Sequence, residues 1–359
     1  MSWNIFKLRP KKNLGIDIGT SAIKIVELSR HGKTRRLENY GELGAMIFND
    51  KPFRVFEKDS LFLSDQDIAR AIQMICQEAG IQTKEAVFSI PDFCSFFTSF
   101  ELPAMDKDEL EEAIKYEVRS YIPVPLSEVT LDWVVTEGVI SKTPIRILVV
   151  AVLNDVITQY QTIARLSGLK VKILEPETFA LVRASLKKGD EKKLISIIDI
   201  GARSTTCNIL ENSSLKISYS FNVGGNELTQ VLAKSLNIDY NKAEVTKRKI
   251  GLTAGNDQSS KSVKDVLLPL VDSMVGEIKK TFRDFYKNEG KEIEKIILAG
   301  GLTILPGLKD YFAKEFQKPI EIVNPFSDIS CPPPLKENLE KKGPAYVIAV
   351  GLALKSLEK

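Results

Sequence analysis

Residues Leu14–Lys24 read LGIDIGTSAIK, and residues Ser196–Thr206 read SIIDIGARSTT. Each segment has an apolar run, then Asp, one apolar residue and Gly, followed by small or hydroxylic residues and a further strand-like run. This pattern predicts a buried strand, a tight turn and a second strand. A single copy occurs in many hairpins. Two copies, each leading a similar set of predicted strands, indicate two related halves.

Both turns have the composition of phosphate-binding hairpins. Glycine allows backbone N–H groups to approach phosphate oxygens closely, and serine and threonine hydroxyls add donors. A lysine adds a compact positive charge. The predicted phosphate-binding residues are Gly19, Thr20, Ser21 and Lys24 in the first half, and Gly201, Ala202, Arg203, Ser204 and Thr205 in the second.

One aspartate stands at the end of the first strand of each half. Asp17 and Asp199 occupy equivalent positions in the two segments. Mg²⁺ prefers octahedral oxygen coordination and usually keeps several waters, so paired carboxylates suit a hydrated ion. We therefore expect Asp17 and Asp199 to hold Mg²⁺ through water.

Further glycines precede two predicted helices. Gly300, Gly301 and Leu302 follow an apolar strand, and bare glycines there let a purine or ribose lie against the backbone. Taken alone, these residues are better explained as a simple tight turn from strand to helix. Gly224 and Gly225, before another helix, are assigned to the same site. The chain has neither a P-loop nor an ordered G-x-G-x-x-G motif.

The composition of the chain argues against several classes of function. Net charge is +3 over 359 residues, which does not support a general nucleic-acid footprint. The four cysteines form no C-x-x-C pair, which favours reduced thiols, and a single histidine, His31, makes a histidine metal site or a Ser–His dyad unexpected. No apolar run is long enough to predict a transmembrane helix, so we expect membrane association through a partner.

The three glycine-containing sites, in this order, resemble the superfamily of actin, the heat-shock chaperone ATPases and hexokinase. The resemblance covers nearly the whole chain. It implies a bilobal α/β fold with two RNase H-like halves that binds ATP between them. Glu175–Glu177 and residues 343–353 look like the two connecting elements. The segment Ala243–Lys247, AEVTK, is similar to the family's A-E-x-x-K helix, which implies that Glu244 and Lys247 contact ribose or adenine.

A predicted α+β unit, beginning near Phe93, interrupts the first half at the place where the FtsA branch carries its own insertion. Within it, residues Lys115–Val129, KYEVRSYIPVPLSEV, resemble a signature of the PilM family of type IV pilus assembly proteins. The implied organisation is 1–92 and 173–190 in lobe I, 93–172 as the inserted subdomain, 191–342 as lobe II and 343–359 as a second connecting helix.

The PilM-like resemblance implies a cytoplasmic platform held at the inner membrane by a partner. Such proteins bind ATP and grip the N-terminal cytoplasmic peptide of a PilN-like membrane protein in a groove beside the insert. Tyr121, Ile122 and Pro123 are candidate groove residues, because aromatic and proline-fixed apolar side chains suit peptide anchoring. A packed helix end explains the same three residues equally well.

Glu175 is the candidate for orienting water in hydrolysis, although a glutamate near a helix N-terminus also stabilises the helix dipole. The implied activity is at most a slow ATPase. Two alternatives stay open: a filament-forming ATPase like FtsA, and a small-molecule kinase of the same superfamily.

Overall fold

The computed structural model describes residues 11–44, 56–57, 60–61, 64–253 and 258–357. Its two main sheets have the same topology. Five strands of the lobe I sheet have counterparts, in the same order, in the lobe II sheet. The repeat read from the sequence is therefore a repeat of fold.

The lobe I sheet begins with three antiparallel strands, and its remaining strands join in parallel. Its strands are β1 (Lys12–Ile18), β2 (Ala22–His31), β3 (Thr34–Gly44), β6 (Glu85–Ile90), β10 (Lys170–Pro176) and β16 (Ile329–Ser330). A separate short pair, β4 (Phe56–Glu57) and β5 (Ser60–Leu61), follows β3 in the chain. The nearly continuous apolar character of β1 fits its burial on both faces.

Helix α1 (Asp65–Glu78) covers this sheet together with α3 (Asn154–Leu166). Ser64 caps the N-terminus of α1, because its Oγ accepts a hydrogen bond from the Asp67 N–H at 3.4 Å. The apolar spacing at Ile68, Ile72 and Ile75 places these three side chains in the core.

Lobe II is built in the same way. Its strands are β11 (Leu194–Ile200), β12 (Thr205–Glu211), β13 (Ser214–Phe221), β14 (Lys295–Ala299) and β15 (Ile320–Ile322). The sheet order is β10-β6-β1-β2-β3-β16 in lobe I and β13-β12-β11-β14-β15 in lobe II, so these five strands correspond in turn to β1, β2, β3, β6 and β10. Its helices are α5 (Gly225–Leu236), α6 (Tyr240–Ile250), α7 (Gln258–Glu289) and α8 (Leu308–Phe316). Buried Ile198, Leu267 and Phe312 belong to one core shared by its sheet and helices.

The insert has a sheet and a core of its own. Strands β7 (Ser95–Leu102), β8 (Val129–Glu137) and β9 (Ile145–Leu153) form an antiparallel sheet in the order β7-β9-β8, covered by α2 (Lys107–Val118). The predicted insert, 93–172, also included α3 and the start of β10. In the structure α3 packs on the lobe I core and β10 pairs with β6, so the separate sheet ends at Leu153.

Two helices, α4 (Glu177–Ser185) and α9 (Lys336–Lys355), pack together where the lobes meet. Their backbones approach closely at Gly351, where an added Cβ would lie 2.0 Å from the Ala180 carbonyl oxygen. Among the described residues, no helix has both the length and the apolar content needed to span a membrane.

Candidate functional site

The two hairpins have the same turn geometry. The Gly19 N–H donates to the Ala22 carbonyl at 3.0 Å, and the Gly201 N–H donates to the Ser204 carbonyl at 2.9 Å. Identical turns follow equivalent strands, β1 and β11, in the two lobes. The sequence repeat therefore encodes two copies of one local backbone structure.

A hydrogen bond between the lobes brings the two hairpins to facing sides of one region, which we call the cleft. Ser21 Oγ, in the first hairpin, donates to Asn226 Oδ1 at 3.3 Å, across 205 positions of sequence. Asn226 lies in the first turn of α5, and its N–H donates to the Ala202 carbonyl in the second hairpin at 2.7 Å. Tyr240 donates to the same Asn226 oxygen at 3.1 Å. One asparagine thus connects the two hairpins.

Asp17 is a buried residue at the end of β1, directly before the first hairpin turn. It is 4% exposed, stands opposite Lys24 in the β1–β2 ladder and accepts a hydrogen bond from Ser89 Oγ at 3.0 Å. These contacts fix the Asp17 carboxylate at the base of the first hairpin.

Asp199 occupies the equivalent place in lobe II, opposite Thr206 and beside Ala299. Gly300 has a φ of +90°, and an added Cβ would lie 2.4 Å from Asp199 Oδ1. Only glycine meets both conditions at position 300. Two carboxylates at matching strand ends, with glycine backbone beside one of them, fit a hydrated Mg²⁺ and phosphate oxygens. Among the residues described, no group of three or more His, Cys, Asp or Glu side chains is placed to hold a metal ion directly.

The glycine pair before α5 holds the second hairpin. The Gly225 N–H donates to the Gly201 carbonyl at 3.0 Å. A Cβ at Gly224 would lie 2.7 Å from the Arg203 carbonyl carbon. The absence of side chains here lets the start of α5 and the hairpin lie against each other, and Thr205 adds a hydrogen bond to the Val223 carbonyl at 2.8 Å.

Lys247 holds the start of α5 in place. It is 3% exposed and donates to the Gly225 carbonyl at 2.8 Å and to Thr229 Oγ1 at 2.6 Å. Its ammonium group lies 2.6 Å from Glu244 Oε2. Burial lowers the pKa of Lys247. Burial also opposes ionisation of Glu244, but the Lys247 charge and hydrogen bonds outweigh it and lower the pKa of that carboxyl.

The glycine turn after β14 borders the same cleft. The Gly300 N–H donates to the Pro344 carbonyl in α9 at 2.9 Å, and the Leu302 N–H donates to the Ile200 carbonyl at 3.2 Å. A Cβ added at Gly225 would lie 3.6 Å from Leu302 Cδ1. Gly301, between Gly300 and Leu302, is exposed. The structure therefore brings this turn next to the second hairpin and the start of α5.

Glu175 does not lie at the start of a helix as predicted. It lies on β10 opposite Ser89, and α4 begins two residues later, at Glu177. Its carboxylate is buried and accepts hydrogen bonds from Arg183 at 2.7 and 2.8 Å, and Lys355 Nζ lies 3.0 Å from Oε1. The carboxylate joins β10 to both connecting helices, and these contacts do not support the water-orienting role expected of it.

The three candidate groove residues divide into two kinds. Tyr121 is 48% exposed and stacks on Phe100 with ring centroids 5.5 Å apart, and Pro123 is exposed. Ile122 is buried in the core of the insert. Tyr116, on α2, is the more exposed aromatic at 74%. Tyr121 and Pro123 are therefore available to a partner, whereas Ile122 is a core residue.

The family model for the type IV pilus assembly protein PilM matches residues 15–357. The chain belongs to the PilM family. The match spans both hairpins, the insert and both connecting helices, and it confirms the resemblance read from residues 115–129.

Solved structures agree with the PilM-family fold. The chain matches the structure of a PilM-PilN type IV pilus biogenesis complex with a TM-score of 0.84 and 24% identity, covering 98% of this chain and 100% of the other. The ethanolamine utilization protein EutJ from Carboxydothermus hydrogenoformans matches with a TM-score of 0.56 and 16% identity, covering 97% and 90%. MreB5 of Spiroplasma citri bound to AMPPNP matches with a TM-score of 0.53 and 14% identity, covering 97% of each chain. The predicted bilobal actin-like fold is confirmed.

Sequence reasoning missed the polar residues that this PilM-family chain uses between its lobes. Thr178, in the first turn of α4, donates its hydroxyl proton to Asp92 Oδ2 at 2.8 Å, and its hydroxyl oxygen lies 3.2 Å from Asn208 Oδ1 of β12. Asn226 was missed as well, although it directly follows Gly224 and Gly225. Position next to a recognised motif is a signal for Asn226, but nothing local identifies Asp92.

Proposed function

We propose that this chain is an ATP-binding platform of type IV pilus assembly, and that its nucleotide state modulates its grip on a membrane partner. The observation that supports the proposal is the Ser21–Asn226 hydrogen bond, which brings together two hairpins with the same turn hydrogen bond. An anion placed between them meets turn amides and hydroxyls from both sides. Proteins of this fold such as MreB5 have been solved with AMPPNP bound.

The residues of the cleft fit Mg·ATP. Asp17 and Asp199 would hold the hydrated ion, and Lys24 with the two turns would hold the phosphates. Gly300, Gly301 and Leu302 would border the purine, and Glu244, on the adjoining α6, would reach the ribose or adenine. The bound ion would neutralise phosphate charge. Lys247 would act indirectly, since its hydrogen bonds hold Gly225 and Thr229.

A binding switch fits better than a fast phosphotransferase. Rapid hydrolysis needs a residue that orients water against the γ-phosphate. The carboxylate predicted for that role, Glu175, is held by Arg183 and Lys355 instead. Slow turnover would keep the protein in its ATP state for long periods, which suits a structural platform.

The partner would be the cytoplasmic N-terminal peptide of a PilN-like inner-membrane protein, a proposal supported by the similarity to a PilM solved in complex with PilN. Exposed Tyr121 and Pro123 would contribute to the peptide site on the insert. Binding of this tail would hold the platform in the cytoplasm against the inner membrane.

Calorimetric titration with Mg·ATP tests the nucleotide site. We expect binding with one site per chain and a clear loss of affinity in Asp17→Ala. Asp284→Ala is the matched control, because Asp284 is an exposed residue of α7. Equal affinity in the wild type and Asp17→Ala would refute the site assignment.

Titration with a synthetic copy of the partner's N-terminal tail tests the platform function. We expect binding in the presence of Mg·ATP and weaker binding in Tyr121→Ala. Absence of binding at high micromolar peptide, with the nucleotide site filled, would contradict the platform function while leaving the nucleotide site standing.

A further inference from the structure

The insert contacts lobe II through two ion pairs. Glu137, at the end of β8, pairs with Lys216 on β13. Arg146, on β9, lies 3.6 Å from Glu289, the last residue of α7. We call these four residues, Glu137, Arg146, Lys216 and Glu289, the insert latch.

Charges around the insert latch reinforce it. Lys216 also lies 3.7 Å from Glu211, which pairs with Lys291 at 2.5 Å, and Arg146 pairs with Glu101 of the insert at 2.8 Å. The side chain of Lys216 is only 9% exposed, so solvent screens its charge less than that of an ordinary surface lysine. The hydrogen bond from Lys216 lowers the pKa of Glu137.

The insert also touches lobe II at the cleft. The Arg203 guanidinium carbon, in the second hairpin, lies 5.8 Å from the ring centroid of Phe93, two residues before β7. Phe93 lies where the chain leaves lobe I for the insert. One end of the insert therefore faces a predicted phosphate turn, and the other end is held by the latch.

This arrangement ties the insert to both lobes. The chain attaches it to lobe I, between β6 and β10, while the latch attaches it to β13 and α7 of lobe II. A rotation of one lobe against the other must then either carry the insert with lobe II or break the latch. The latch can therefore be formed or broken, and an element with two such states can couple the cleft to the insert.

We propose that the insert latch transmits the nucleotide state of the cleft to the insert. The proposal rests on the proposed function, because it supplies the physical connection between the ATP site and the peptide site. When lobe II moves on nucleotide binding, the latch draws the free edge of the insert sheet, β8, with it.

Hydrogen–deuterium exchange followed by mass spectrometry, with and without Mg·ATP, tests the latch. In the wild type we expect slower exchange both in the hairpin Gly19–Lys24 and in β8. The nucleotide should slow exchange in β8 about two- to fivefold, the size expected of partly exposed ion pairs. In Glu137→Gln/Arg146→Gln the hairpin response should persist, and the β8 response should vanish. High salt should reduce the wild-type β8 response in the same way.

Lys318→Gln is the matched control. It removes a partly exposed ion pair, with Glu292 at 3.0 Å, that lies wholly within lobe II, and it should leave both responses unchanged. Local loosening of β8 in the double variant would raise its exchange equally with and without Mg·ATP, so the ratio of the two rates isolates the coupling.

Two outcomes would overturn the latch alone. In the first, Mg·ATP protects the hairpin of the wild type but does not slow exchange in β8. In the second, Mg·ATP slows exchange in β8 of the double variant as much as it does in the wild type. Absence of hairpin protection would overturn the proposed nucleotide site, and the latch with it. Glu137→Gln alone, which retains the Arg146–Glu289 pair, provides the test if the double variant does not fold, and it should reduce the β8 response.

Discussion

Lys24 and Asp17 stand opposite each other in the β1–β2 ladder, so the cation and the acid of the first hairpin are placed by strand register alone. Residues directly opposite in an antiparallel pair keep their Cβ atoms within about 5.5 Å. A one-residue slip of β2 would move Lys24 to the other face of the sheet. The register of two strands therefore sets the local charge of the cleft.

Replacing Lys24 with alanine should weaken Mg·ATP binding by about 1.5–3 kcal/mol, because a charge-assisted hydrogen bond is lost. Calorimetry measures the change. Lys33→Ala, in the exposed β2–β3 turn, is the matched control and should bind as the wild type does. Unchanged affinity in Lys24→Ala would remove this lysine from the site.

Replacing Glu175 with glutamine should lower the free energy of unfolding by about 3 kcal/mol, because Arg183 and Lys355 lose their buried counter-ion. Urea denaturation measures this loss. Glu337→Gln, whose side chain is 81% exposed and pairs with Lys341, should change stability little. At a temperature where the Glu175→Gln protein is folded, phosphate release from ATP should be unchanged. A drop of tenfold or more would restore a catalytic role to Glu175.

At the scale of elements, the contact between α4 and α9 depends on one missing side chain. The Gly351 backbone lies against Ala180, and Arg183 of α4 donates to the Gly351 carbonyl at 3.0 Å. Two helices from distant parts of the chain thus pack with little space between them. The helices α4 and α9 therefore connect the two lobes.

Gly351→Ala should separate these helices and lower the free energy of unfolding by about 1–3 kcal/mol, the usual cost of overpacking. Gly276→Ala in α7 is the control, because nothing lies within 4 Å of its added Cβ. It should raise stability by up to about 1 kcal/mol through better helix propensity. If urea denaturation gives the same change in the free energy of unfolding for both substitutions, the close approach at Gly351 does not contribute to stability.

At the scale of the whole molecule, the proposed cleft belongs to neither lobe alone. Polar contacts cross between the lobes at Ser21–Asn226 and at Thr178–Asn208. A ligand held by both hairpins binds the folded arrangement of the lobes and not the unfolded chain. Nucleotide binding should therefore be linked to the stability of the complete protein.

Mg·ATP at 100 times its dissociation constant should raise the free energy of unfolding by about 2.7 kcal/mol, as linkage requires for one site. Scanning calorimetry should show the transition of both lobes moving together to higher temperature. A shift confined to part of the heat absorption would contradict a site shared between the lobes. The Asp17→Ala protein, compared at the same nucleotide concentration, should shift less.

Much of the fold was predictable because its determinants are local. Apolar runs and glycine turns are read within a few positions, and they predicted the paired hairpins. The start of α4 was not predicted correctly. Glu175 and Pro176 look like a helix start, but pairing with β6 extends β10 through both residues.

The sequence by itself determined the two hairpin turns, the carboxylate at each strand end and the presence of an insert, since each depends on residues close together in the chain. Only the tertiary structure decided that Asn226 joins the hairpins, that Glu175 is held by Arg183 and Lys355, and that the insert is latched to lobe II. The physical reason is that ion pairs and hydrogen bonds between distant segments depend on how the lobes pack. Packing is decided by the summed burial of many apolar side chains and leaves no local pattern around the polar groups that it brings together.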